Sequence, residues 1–256
     1  MIKRFNSLKA HLNKIGFFPT IKYLLQRLFK KKGELIDIKI KGLSHPIYLR
    51  NKFYDTNIFY QIFIREELDF NLKITPKTII DCGANIGLSS LYFKMKYPLC
   101  KIYSIEPELS NFKMLELNTK SYKDIIQINA AVWHDSGEIY IIDNGEGHAS
   151  FTTSNNAGAK NIIGKIPAIT IPELLVSNSI NRINLLKMDI EGSELEIFNK
   201  DAIVWLNKIE SLAIEIHETF RPGVTKIINN MMDTDFSKER NGEYTFYTIR
   251  HLDHKC

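Results

Sequence analysis

The sequence predicts an α/β protein built around a mostly parallel, doubly wound sheet. From Lys77 onward, short apolar runs alternate with segments of helical spacing, which is the rhythm of strand-helix-strand units. The runs 78–81, 101–106, 125–132, 183–189 and 212–217 are largely apolar, as strands covered on both faces should be. Several of them end in acids, namely Asp81, Glu106, Asp189 and Glu215. In open α/β sheets, ligands bind in the crevice outside those carboxyl ends.

The elements follow in order. Residues 1–33 form a basic helical arm. Ile2, Phe5, Leu8, Leu12 and Ile15 recur at helical spacing, as do Ile21, Leu24, Leu25, Leu28 and Phe29. Gly16 and Pro19 separate the two helices, and Lys30-Lys31-Lys32-Gly33 closes the second. Residues 34–70 form an extension: 35–40 alternates as a strand, 46–50 is its hairpin partner, and Asp55 starts a helix carrying Ile58, Phe59, Ile62 and Phe63. Residues 71–256 form the main domain. Beyond its five apolar strands, 137–142 reads as an extra strand, 225–232 as a helix and 243–250 as a last strand. Residues 143–165, dominated by Asn, Gly, Ser and Thr, read as one long loop. A loop of that length in a compact domain is functional or mobile.

Composition narrows the function. The 256 residues suit one sizeable domain with an appendage. A hydrophobic share of 44% and a charged share of 25% are those of a soluble globular protein. No apolar run approaches the roughly 18 residues needed to span a bilayer, and no signal-peptide pattern stands out. Cys82, Cys100 and Cys256 are scattered, which fits a reducing compartment and argues against a zinc site or disulfide framework. A cytoplasmic location is expected. The arm holds nine Lys or Arg and no acid, whereas elsewhere 29 acids outnumber 25 basic residues. A uniformly basic nucleic-acid-binding surface is therefore not expected. The arm would pack at the edge of its own domain or on a second copy of the chain, leaving basic faces for an anionic acceptor or the inner membrane surface.

The chemistry sits at the strand ends. In IIDCGANIGLSSLYF, Gly83 and Gly87 allow close backbone approach and a sharp turn, and Asp81 places an acid beside them. A dinucleotide site would show GxGxxG, but here Asn85 replaces the middle glycine. The acid disfavours a diphosphate and suits an ammonium or sulfonium. Glu106, 23 residues after Gly83, is placed to accept the hydroxyls of a ribose. Asp81, Gly83, Asn85, Gly87 and Glu106 together describe an adenosine site with a cationic tail, which is S-adenosylmethionine rather than NAD. Farther along, NLLKMDIEGSELEIF carries Asp189, Glu191 and Glu194 around Gly192, and SLAIEIHE places Glu215 and His217 on one side of a strand. If these strands are neighbours, Asp189, Glu215 and His217 cluster. His217 would then take a hydroxyl proton near neutral pH, with Asp189 or Glu215 orienting it. The same three groups would alternatively hold a divalent cation such as Mg²⁺ or Mn²⁺. A purely structural polar network, with Lys187 neutralising the acids, is the competing account.

These strings resemble the FkbM-type family of S-adenosylmethionine-dependent methyltransferases. IIDCGANIGLSSLYF, SIEPELSNF, NAAVWHDSGEIYI, AITIPELL, INLLKMDIEGSELEIF and LAIEIHE occur in the family's order, over about residues 77–218, with YLRNKFYDTNIFYQIF extending the match upstream. The resemblance implies a class I methyltransferase fold, Rossmann-like, with seven strands in the order 3-2-1-4-5-7-6, the last of the chain antiparallel. It implies O-methylation, commonly of sugars or polyketide-type hydroxyls. It puts Asp81, Gly83 and Glu106 at cofactor positions, and Asp189, Glu191 and Glu194 in the family's acidic signature. The bias to Lys, Ile and Asn suggests an AT-rich bacterial genome, so the expected acceptor is a sugar or nucleotide-sugar in surface (capsular) polysaccharide synthesis. A non-catalytic adenosine-binding module and a nucleotide-linked oxidoreductase are the alternatives. The missing glycine argues against the oxidoreductase, and the acids of both later strands argue against the module.

Overall fold

A computed structural model describes residues 2–52, 54–143, 151–154, 156, 158–198, 200–219, 221–232 and 234–250. Helices α1 (Ile2–Ile15) and α2 (Phe17–Phe29) precede an antiparallel pair, β1 (Leu35–Ile38) and β2 (Ile47–Arg50). Helix α3 (Asp55–Phe59) runs on into a π-helical turn at Tyr60–Ile64. Then follow β3 (Thr78–Cys82), α4 (Leu88–Lys96), β4 (Lys101–Ile105), α5 (Leu109–Thr119) and β5 (Ile125–Ile128). An insertion contributes β6 (Ala131–Val132), β7 (Gly137–Asp143), β8 (Phe151–Ser154) and β9 (Ile162–Ile169). The chain returns through α6 (Ile171–Ser177), β10 (Leu185–Met188), α7 (Glu194–Ile197), α8 (Ile203–Leu206), β11 (Ser211–Glu215), α9 (Val224–Met232), β12 (Phe236–Asn241) and β13 (Tyr244–Ile249).

The main sheet has seven strands in the order β12-β13-β11-β10-β3-β4-β5. Counting only its own strands along the chain, the order reads 3-2-1-4-5-7-6. Strands β3, β4, β5, β10 and β11 are parallel to their neighbours in that set, and β13 runs antiparallel to both β11 and β12. Side chains alternate between two buried layers, as the period of two requires. Ile79, Ile102, Leu185, Ala213 and Phe246 face α4, α3 and the hairpin. Ile80, Tyr103, Leu186, Leu212 and Tyr247 face α6, α8 and α9.

Three expectations change. The run 125–132 is two strands in different sheets. Asn129 donates its side-chain amide to the carbonyls of Glu106 (2.8 Å) and Pro107 (3.1 Å), which ends β5, and β6 then pairs with β9. Residues 143–165 are not one loop: β8 and the start of β9 lie there, paired antiparallel to β7 in a four-stranded sheet. Alternate residues of β9 stay exposed and it contains Gly164 and Pro167, so its apolar signal is weak. Strand β12, read from no apolar run, is an edge strand whose Ser237, Lys238, Glu239 and Arg240 are exposed. Charged edges of this kind discourage edge-to-edge pairing.

The arm differs most. Its second helix does not bury the stripe Ile21, Leu24, Leu25, Leu28 and Phe29, all of which are exposed. It packs instead through Thr20 and Tyr23, with Tyr23 against the rings of His11 (5.5 Å) and Phe59 (5.9 Å). Polar clamps fix this orientation. The Gln26 side chain pairs with both backbone groups of Asp37, at 2.9 and 3.1 Å, and Asn51 donates to the carbonyl of Lys30 at 2.8 Å, capping the helix end.

Candidate active site

A cavity of about 330 Å³ opens at the carboxyl ends of β3, β4, β10 and β11. That size lies within the range of small-molecule sites. The loop from β3 to α4 forms one wall with Gly83, Ala84, Asn85 and Ile86, and the end of β4 adds Glu106 and Pro107. Asn57, Ile58 and Gln61 close it from the extension, and Thr153 reaches it from β8.

Gly83 turns at φ +73, and a Cβ there would sit 1.7 Å from the backbone oxygen of Asp189, so the two strand ends meet closely only because the residue is glycine. Asn85 adopts φ 50, a conformation Asn tolerates better than other side chains, so it takes the middle glycine's place without changing the turn. Its N–H donates to Glu106 Oε2 at 2.8 Å, and the N–H of Glu108 donates to Oε1 at 2.9 Å. Each carboxylate oxygen keeps a lone pair for a further donor. Burial pushes the Glu106 carboxyl up to about 7, against the lowering effect of those two N–H groups.

Asp81 and Gly87 stand apart from the cavity wall. Asp81 is fully buried. Its Oδ2 accepts from the hydroxyls of Ser89 and Ser90, both at 2.6 Å, and its Oδ1 lies 3.3 Å from Lys187 Nζ. Gly87 begins α4 at φ +88, packed on α5 so closely that a Cβ would lie 2.8 Å from Leu115.

The later acids converge. Parallel pairing of Met188 with Ile214 brings Asp189 beside Glu215, and both line the cavity with Glu191. His217 lies just behind them. Its Nε2 is 3.9 Å from Asp189, 3.4 Å from Glu191 and 3.8 Å from Glu215, while its Nδ1 is 2.8 Å from Glu194. Burial alone would lower the imidazole pKa, but the Glu194 hydrogen bond and the charges of Asp189, Glu194 and Glu191 outweigh it and raise it to about 10. In this state the ring is therefore an imidazolium and not the free neutral base that the sequence suggested. Burial, and then the charge of Asp189, push the carboxyls of Glu191 and Glu215 up. Asp189, Glu215 and His217 each offer an atom, and those atoms lie within 4.8 Å of one another.

Two residues were not assigned a site role from the sequence. Lys187 is buried and lines the cavity, donating to the Gly83 carbonyl at 2.7 Å and lying 3.7 Å from Asp189. Burial would lower its pKa, but Asp81 and Asp189 hold it raised, so it stays charged. A lysine inside an apolar strand was the available signal. Tyr244, at the start of β13, donates its hydroxyl to Asp189 Oδ2 at 3.0 Å. Nothing local in its sequence points there, since the contact depends on β13 lying beside β11.

The sequence profile of the Methyltransferase FkbM domain matches residues 81–244. The chain belongs to this family. Its FkbM domain is 27% identical over 182 residues to Methyltransferase sdnD of Sordaria araneosa, covering 59% of this chain and 70% of that protein. It is 25% identical over 169 residues to Hexuronic acid methyltransferase AglP of Haloferax volcanii, covering 64% of this chain and 66% of that protein. Among solved structures, Methyltransferase FkbM from Methylobacillus flagellatus KT aligns at 18% identity with a TM-score of 0.46, over 67% of this chain and 43% of the other. The chain thus spans about two thirds of those two curated relatives and less than half of the solved one.

Proposed function

We propose that this chain is an S-adenosylmethionine-dependent O-methyltransferase whose acceptor is a hydroxyl of a sugar or nucleotide-sugar. The observation that carries the reading is one cavity with Glu106 at one side and the Asp189, Glu191 and Glu215 carboxylates at the other. Glu106 suits the ribose hydroxyls. Ala84, Ile86, Ile105 and Val132 offer apolar surface for an adenine, and the excess of carboxylates favours a cationic ligand. The Gly83 and Asn85 backbones let a ligand approach the turn closely, while Asp81 supports the site from below through Lys187 and α4.

When bound, S-adenosylmethionine supplies a methyl group on a sulfonium, whose transfer to oxygen is intrinsically favourable. The chain must align the acceptor oxygen and remove one proton. In this reading the acceptor hydroxyl would dock at Asp189, Glu215 and His217. Because His217 is already protonated, the hydroxyl proton would pass to the Asp189 carboxylate as the methyl–sulfur bond gives way to the methyl–oxygen bond. Glu191 completes the acidic wall, and Glu194 holds Nδ1 so that Nε2 faces the site. The curated relative AglP, named a hexuronic acid methyltransferase, supports a sugar as acceptor class, and surface-polysaccharide synthesis in the cytoplasm is the setting that follows.

A second reading has a specific basis. The compact Asp189, Glu215 and His217 set, with a carboxylate behind the imidazole, also has the form of a divalent-cation site with an oriented histidine. Mg²⁺ or Mn²⁺ there would acidify the acceptor hydroxyl. EDTA should then abolish turnover and either ion should restore it. Activity indifferent to EDTA leaves the cluster as a proton acceptor alone.

The deciding experiment is incubation with methyl-labelled S-adenosylmethionine and a panel of nucleotide-sugars, free saccharides and capsular fragments. Label on a sugar oxygen is expected. Label on nitrogen or carbon, or calorimetry showing tighter binding of NAD than of S-adenosylmethionine, would overturn the reading.

A further inference from the structure

We propose that the outward face of α2 is a docking surface for a bilayer bearing anionic headgroups, on which the helix lies in the plane of the interface. Phe18, Ile21, Leu24, Leu25, Leu28 and Phe29 are exposed together, with Phe18 at 81%, Leu28 at 70% and Phe29 at 78% of full accessibility. At 3.6 residues per turn they occupy an arc of about 140°. This is no loose helix waiting to roll inward. Its other side is spent on Thr20 and Tyr23 in the core and on the Gln26 and Asn51 clamps. Leaving so large an apolar face in water is unfavourable, and a contiguous patch of this kind marks an interaction surface.

Charge selects the occupant. Residues 1–33 contain nine basic side chains and no carboxylate; Lys9 and Lys31 are exposed, while Lys22 on α2 is exposed but paired with Asp37. Docked through this face, a second copy would bring the same basic surroundings against it, and like charges would oppose the contact. An anionic bilayer accepts both components at once, apolar residues at the acyl boundary and lysines at the headgroups. Among the described residues no helix is long and apolar enough to cross a membrane. Helix α2, with 13 residues, is only about 20 Å long. Lying along the surface is the geometry left to it.

The proposal stands apart from the methyltransferase reading, because no residue of α2 lines the cavity. The test is co-sedimentation of the full chain with phosphatidylcholine vesicles containing or lacking phosphatidylglycerol, alongside L24E/L28E. Both substituted positions are exposed, so circular dichroism and S-adenosylmethionine affinity should match those of the unsubstituted chain. Binding should require phosphatidylglycerol, weaken with salt and fall roughly tenfold or more in the variant. Absence of binding to anionic vesicles, or equal binding by the variant, overturns the proposal. Self-association in sedimentation velocity that the variant abolishes, without vesicle binding, would make the face a subunit interface and overturn it equally.

Discussion

Nδ1 of His217 lies 2.8 Å from Oε1 of a Glu194 that is wholly buried, so the ring of a residue beyond β11 is oriented by the first residue of α7. This pairing turns Nε2 toward Asp189, Glu191 and Glu215. In the proposed reaction the imidazolium holds the carboxylates that receive the proton, so its orientation should matter nearly as much as its presence. His217→Ala is expected to lower kcat by roughly 10²–10⁴. Glu194→Gln should lower it by about 10–100-fold with the Kd for S-adenosylmethionine little changed. Single-turnover rates together with cofactor titration check both, and wild-type rates in the two variants would remove the cluster from the mechanism.

Glu106→Ala should weaken S-adenosylmethionine binding by about 1.5–3 kcal/mol, the range for hydrogen bonds to a charged group. The pH dependence follows in sign. Only the carboxylate accepts from two donors while holding the N–H groups of Asn85 and Glu108, and burial raises this carboxyl to about 7. Affinity should therefore be highest above pH 7 and fall as pH drops through it. Isothermal titration across that range tests this, and the dependence should vanish in Glu106→Ala.

Gly83→Ala places a Cβ where the Asp189 carbonyl oxygen already sits, at 1.7 Å, on a residue with φ +73. Neither group is a flexible side chain, so β3 and β10 must part at their ends. A stability loss of at least ~2 kcal/mol is expected from strain and displacement together, with loss of cofactor binding. Denaturant unfolding measures the first and calorimetry the second.

Among the described residues Lys187 is the one cation within 4 Å of both Asp81 and Asp189, and Lys187→Met removes it. Breaking a buried ion pair from one side costs about 3–5 kcal/mol, because the remaining charge has no partner. The variant should melt markedly lower at neutral pH. Part of the loss should be recovered by Asp81→Asn in the same chain, and a double-mutant cycle measures that coupling.

The alternation of apolar runs and helical segments from Lys77 was legible because a buried parallel strand must be apolar on both faces, a property of each segment taken alone. Acids breaking that rule at Glu106, Asp189 and Glu215 marked the cavity edge for the same reason, and all three line it. Asp81 broke the rule too, but it serves Ser89, Ser90 and Lys187, a distinction no local pattern could express. Strands β9 and β12 were hidden because half-exposed or edge strands carry little apolar signal, and their pairing is decided by the neighbours they meet. The contact of Tyr244 with Asp189 and the hold of Glu194 on His217 join residues 55 and 23 positions apart in sequence. The same is true of α2. Its amphipathic pattern was plain in the sequence, but tertiary contacts at Tyr23, Gln26 and Asn51 decided which side packs, since polar clamps and one aromatic anchor turned the more apolar face outward.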